Sequence, residues 1–144
     1  MGCNMHSIIQ VKKYGYWYNR IITNEDRFYL FYGSLAGVRN HDITPIFLPR
    51  GIPKDFNDNN FLSREHSASW FTLAEAKRYV FNYLDNLPPK ECLAMNIDGD
   101  FFGSLCNRWN SLIEDMEYCK KWADLNTTDP NIDNDIRIVF DFDS

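Results

Sequence analysis

Residues 135–143 alternate without a break. Ile136, Ile138, Phe140 and Phe142 fall on one face of an extended chain, and Arg137, Val139, Asp141 and Asp143 on the other. Such a segment requires a neighbouring strand and apolar cover, so it puts a sheet inside whatever this chain builds. The first residues offer a neighbour: MHSIIQVK at 5–12 and YWYNRII at 16–22 read as two strands around Lys13-Tyr14-Gly15, an antiparallel hairpin. Cys3, Asn4 and His6 precede or open that hairpin with no polar leader ahead of them. Loose termini are the rule, so residues of this kind at the start are expected to be tied into the fold.

Helical patterns fill most of the remainder. Asn24 is placed to cap a helix over roughly 25–36, with Phe28, Phe31 and Leu35 as its stripe and Gly37 as its stop. Thr72-Leu73-Ala74-Glu75 is a capping box ahead of the stripe Leu73, Ala76, Val80 and Leu84, and Pro88-Pro89 ends that helix. After a turn at Asp98-Gly99, residues 101–124 carry Phe102, Leu105, Cys106, Trp109, Leu112, Ile113 and Met116, the clearest helix of the chain. Between Val38 and Ser69 neither period holds. That stretch contains Pro45, Pro49, Gly51, Pro53 and the polar run Asp55 to Asn60, and its aromatics and prolines favour an ordered, functional loop. The sum is a single α+β domain over 1–144, with a small, mainly antiparallel sheet that includes both terminal strands. About three helices and a long ordered loop pack with it.

Composition narrows the function classes. Hydrophobic residues at 44% and aromatics at 16% fill a core without disulfide staples. The net charge of −5 argues against generic nucleic-acid binding, while leaving room for a small basic pocket or a basic protein partner. Cys3, Cys92, Cys106 and Cys119 show no CxxC spacing, and the last two sit in a helical pattern as small apolar groups, which suits a reduced cytoplasmic protein. No run approaches the ~18 apolar residues of a membrane span, and no signal peptide precedes the first strand. The start Met-Gly-Cys departs from the acylation pattern, with His6 where Ser or Thr is required.

The candidate functional residues lie in two regions. On the first strand Asn4, His6, Ile8 and Gln10 share one face, and with the terminal strands adjacent His6 approaches Arg137 or Asp141. A histidine near carboxylates suits a general base or metal ligand, but for His6 alone a structural hydrogen bond is the favoured reading. Cys3 and His6 point to opposite faces of a strand, which disfavours a dyad and leaves Cys3 as a buried small residue. In the loop, Arg39 and Arg50 supply planar forks for phosphate or carboxylate, and Arg50 stands between Pro49 and Gly51-Ile52-Pro53. His66, Ser67 and Ser69 precede a helix N-terminus, where anions are favoured, and Trp70 offers a stacking face. The competing expectation is a loop pinned by arginine–carboxylate pairs with the Asp residues of 55–58.

Five stretches resemble an uncharacterised family of small bacteriophage and prophage proteins: Gly2-Cys3-Asn4-Met5-His6, Leu35-Ala36-Gly37-Val38-Arg39-Asn40, Pro49-Arg50-Gly51-Ile52-Pro53, His66-Ser67-Ala68-Ser69-Trp70 and residues 136–143. They are similar to that family's GCDIH start, LAGVRN, PRGLP and HSxSW motifs and VRxVFWFDN-like ending, and they span nearly the whole chain. The resemblance implies a viral setting and no activity. Asn4 replaces the family's usual Asp, Asp141 a common Trp and Ser144 a common Asn, and the first of these weakens a metal site at the N-terminus.

Three readings follow. The first is a non-enzymatic accessory protein of the host bacterial cytoplasm that binds a nucleotide or other phosphorylated small molecule, countering host signalling or defence. Its ligand-binding residues are Arg39, Arg50, His66, Ser67 and Trp70, with His6 and Arg137 at the floor, and it needs no cofactor or metal. The second is a protein-binding inhibitor of a host or defence protein. The third is a metal-dependent phosphodiester hydrolase built on His6, His66 and Asp141.

Overall fold

Strand β1 (Asn4–Lys13) turns into β2 (Tyr16–Asp26) through Tyr14 and Gly15, both with positive φ (56° and 81°). Two such residues in succession give the connection a twist that matches antiparallel strands. The computed structural model describes residues 2–39, 43–57, 61–87, 102–123 and 129–143. The remaining elements are α1 (Tyr29–Ala36), β3 (His66–Thr72), α2 (Leu73–Asn82), α3 (Phe102–Trp122) and β4 (Ile136–Asp143), with short 3-10 turns at Leu84–Asn86 and Pro130–Asp135. The sheet order is β2-β1-β4-β3, and every pairing is antiparallel. The expected α+β architecture is therefore present, with β1 and β4 side by side at its centre.

Alternation divides the sheet into two working faces. Met5, Ile9, Val11, Phe71, Ile138, Phe140 and Phe142 join the helices in the main core. Trp109 of α3 is fully buried there against Phe31, Phe71 and Tyr79, and its indole N–H donates to Ser34 Oγ at 2.8 Å, so the ring is buried without an orphaned donor. The opposite face is not left to solvent. Ile8 and Val139 are covered by Phe56 and Leu62 of the long loop, with Trp70 packed alongside. Every residue of β4 from Ile136 to Phe142 is buried for this reason.

Besides α2, which ends at Asn82 with Tyr83 as its C-cap and leaves Leu84 to the following 3-10 turn, two sequence expectations need correction. The helix expected from residue 25 begins at Tyr29, because β2 continues to Asp26 in order to pair the whole of β1 (Asn4 opposite Asp26). Asn24 is not its cap: the N-cap is Phe28, without a side-chain bond, and all eight residues of α1 are buried. Gly37 does close α1, in the left-handed conformation with φ 76°. The second correction is β3, a strand inside the stretch read as loop. Its register shifts between His66 and Ser69, and Ser67 has φ 56°, so the period-two pattern is broken where it should announce itself. Pro88-Pro89, the Asp98-Gly99 turn, Cys92, His41 and residues 58–60 lie outside the described residues.

The capping box is formed as read. Glu75 N–H donates to Thr72 Oγ1 at 3.2 Å, and Thr72 N–H donates to Glu75 Oε1 at 2.9 Å. Thr72→Ala removes one half of it and is expected to lower stability by about 1 kcal/mol, checked by urea denaturation.

Candidate functional site

The seven candidate side chains fall at five places. His6 sits between two acceptors, with Nε2 2.5 Å from Asp143 Oδ2 and Nδ1 2.8 Å from Asn24 Oδ1. A carboxylate at Nε2 and an amide oxygen at Nδ1 favour the protonated ring over the neutral one. Burial opposes that charge, but the hydrogen bonds to Asp143 and Asn24 and the charges of Asp143 and Asp141 outweigh it, raising the His6 pKa above its ordinary 6.5. The same contact, first of all through its hydrogen bond, holds Asp143 below the usual carboxylate range. His6 thus ties together the ends of β1, β2 and β4.

Arg50 is committed elsewhere. Its Nη2 and Nη1 reach Glu75 Oε2 and Oε1 at 2.5 and 3.2 Å, a bidentate pair, and Nη1 also donates to the Trp70 carbonyl. The guanidinium lies 3.4 Å over Phe47 and 4.6 Å over Trp70. Burial alone would push the Glu75 pKa up, yet Arg50 and the Thr72 N–H bring it below the ordinary value. The Glu75 carboxylate therefore occupies the first turn of α2, the place where an external anion was expected. Arg137, at the far end of β4, donates from Nε to Gln10 and from Nη1 to Asp55, both at 2.7 Å. Arg39 lies 4.4 Å over the Tyr29 ring. Arg50 is pinned to a carboxylate, but to Glu75 and not to an Asp of 55–58; of that run Asp55 is paired, and with Arg137 of the sheet.

His66 and Ser67 are brought together, their Nδ1 and Oγ 3.0 Å apart, in a cleft of about 540 Å³. Ile52, Pro53 and Phe56 form one side of it, residues 64–68 the other, and Asp141 lies among its lining residues. Asp141 is fully buried and accepts three hydrogen bonds from the loop: Ser63 N–H and Oγ at 3.0 Å and Arg64 N–H at 2.7 Å. That carboxylate fixes the rim. Arg64 and Ser67 both hold left-handed backbone, φ 63° and 56°. Arg64 is the lining residue that sequence reasoning passed over, although it stands two residues before His66 in the same segment. Asp55 and Trp17, which meet at Arg137, were likewise legible only as a loop acid and a strand aromatic.

His6, His66 and Asp141 do not assemble a metal centre: among the described residues no group of three His, Cys, Asp or Glu could hold an ion. No described helix is long and apolar enough to cross a membrane. Comparison with family models, curated proteins and solved structures finds no match to this chain.

Two predictions follow from these pairings. Arg50→Ala should lower stability by about 2–3 kcal/mol with no ligand present, because it strands Glu75 beneath the loop, and Arg50→Lys should recover only part. Differential scanning calorimetry on both variants checks this. The His6 contribution is fully present below its unfolded pKa of about 6.5 and is lost as pH rises through the raised folded value. That of Asp143 is present above the unfolded carboxylate range of about 4 and lost as pH falls through its lowered folded value. The clamp is therefore strongest between those limits. His6→Gln should show a larger stability deficit near pH ~5.5 than near pH ~9; equal deficits in urea titrations would mean the imidazole is neutral in the fold.

Proposed function

We propose that the protein is a non-enzymatic binder that takes a nucleotide or another small phosphate-bearing molecule into the cleft between residues 52–56 and 64–68. The supporting observation is the lining: Ile52, Pro53 and Phe56 give apolar surface and Arg64, His66 and Ser67 give donors, with Glu65 and the loop-bonded Asp141 also lining it. Apolar surface with a few convergent donors is the usual chemistry of a small-molecule site, and about 540 Å³ lies within the common range of about 300–1,000 Å³. An apolar wall suits a base or other flat group, while a guanidinium, an imidazole and a hydroxyl suit a phosphate. Left-handed backbone at two non-glycine lining residues costs about 1–3 kcal/mol each and is characteristic of sites held in shape by their surroundings. Here the holding group is Asp141. In the viral setting that the five sequence motifs imply, such a binder would sequester a host signalling or defence nucleotide.

A second reading has its own observation. Tyr14, Tyr16, Tyr18 and Ile22 are exposed on the hairpin, at 82%, 70%, 44% and 45%, and β2 is an edge strand. Exposed aromatics along an unpaired edge favour a protein partner, as expected of an inhibitor. Calorimetry with mono-, di- and cyclic nucleotides separates the two. Binding of one class, weakened about tenfold or more by Arg64→Ala and by His66→Ala, supports the cleft. Silence across all three classes favours the protein-binding reading.

A further inference from the structure

Arg137 is a cation buried to within 3% of full enclosure, and its hydrogen bonding is incomplete. Nε is satisfied by Gln10 and Nη1 by Asp55, but among the described residues Nη2 has no hydrogen-bond partner. The guanidinium plane lies 3.9 Å over Trp17, whose own indole N–H donates to the second oxygen of Asp55 at 2.9 Å. Asp55 thus spreads two oxygens over two donors and leaves a third donor idle. A buried N–H without an acceptor is costly and in a native fold calls for an explanation.

The surroundings supply one. A separate cleft of about 410 Å³ opens beside this cluster; Gln10, Trp17 and Asp55, the three groups that touch the guanidinium, line it, while Arg137 itself does not. Asp55 is the odd member. Its side chain is 60% exposed and comes from the covering loop, whereas Arg137 and Gln10 are buried in the sheet. Lys12 adds a second cation at the same ring, with Nζ 5.9 Å from the Trp17 centroid. The buried guanidinium therefore rests on one carboxylate that sits mostly in water.

We propose that this cleft is a binding site for a phosphate group and that Asp55 stands in for it when the site is empty. A phosphate group has at least three terminal oxygens for the three donors Nη1 and Nη2 of Arg137 and Nε1 of Trp17, where the planar Asp55 carboxylate serves two. The ligand enters as Asp55 swings outward into solvent. Charge balance at Arg137 is kept throughout, and the idle N–H gains its acceptor. The site is independent of the cleft at 64–68.

The test uses inorganic phosphate as probe and Asp55→Ala, with Asp55→Asn as the milder variant should the first fold poorly. Removing the internal competitor should tighten phosphate binding about tenfold over the wild type, read from tryptophan fluorescence, and the Trp17→Phe background should lose the signal. Phosphate at matched ionic strength should raise the melting temperature of Asp55→Ala more than chloride or acetate does. Adding Arg64→Ala should leave that rise intact. Equal melting in phosphate and chloride, a rise with acetate but not phosphate, or loss of the effect on adding Arg64→Ala would each overturn the proposal.

Discussion

A strand buried on both faces needs two covers, and β4 is such a strand. The helices provide one cover through ordinary apolar packing, with Phe71 stacked on Trp109 and edge-on to Phe140. The second is a loop, and a loop brings backbone polar groups as well as side chains to the surface it covers. Asp141 resolves that difficulty by accepting from Ser63 and Arg64, so the covering segment is fastened through the groups that would otherwise be left unsatisfied. Phe56 and Leu62 then lie on Ile8 and Val139. Both clefts border this covered face, and their shapes depend on where the loop is held.

Charge is used inward as much as outward. Lys120 is 2% exposed and bonds to Asp133 at 2.7 Å, and Lys77 reaches the same carboxylate at 2.8 Å. Burial would raise the Asp133 pKa, but the two lysines lower it below the ordinary value. With Arg50–Glu75 and Arg137–Asp55, these pairs place several of the chain's basic groups against its own acids. Breaking one partner of such a pair costs far more than the pair contributes, which makes them fasteners between elements distant in sequence.

The hairpin, the capping box, the long helix and the last strand were legible because each shows its period or its end signal in consecutive residues. β3 was not, since its bulge at Ser67 interrupts the alternation, and the start of α1 was not, since pairing with β1 overrode the capping tendency of Asn24. At the candidate sites the residue types were legible and their partners were not. Arg50 between prolines looks the same in a sequence whether it faces a ligand or Glu75, because its partner is set by the packing of the loop on α2. His66 and Ser67 do reach a cleft together, but Arg64 becomes visible as a third member only once Asp141 has fixed the turn before it.

The pairing of β1 with β4 also sets an order of events. His6 and Asp143 are separated by 137 positions, yet they close the same end of the sheet. Until the last strand is available, β1 and β2 form only a hairpin, whose apolar faces have neither a central partner nor a cover. Helix α3 can form early, but Trp109 has no finished sheet to pack against. The chain is thus committed to a late, long-range closure, with a high-entropy step before most of its core is rewarded. On a ribosome the residues between β1 and β4 would emerge before the central strand pair could form, with the aromatic residues of the core still uncovered.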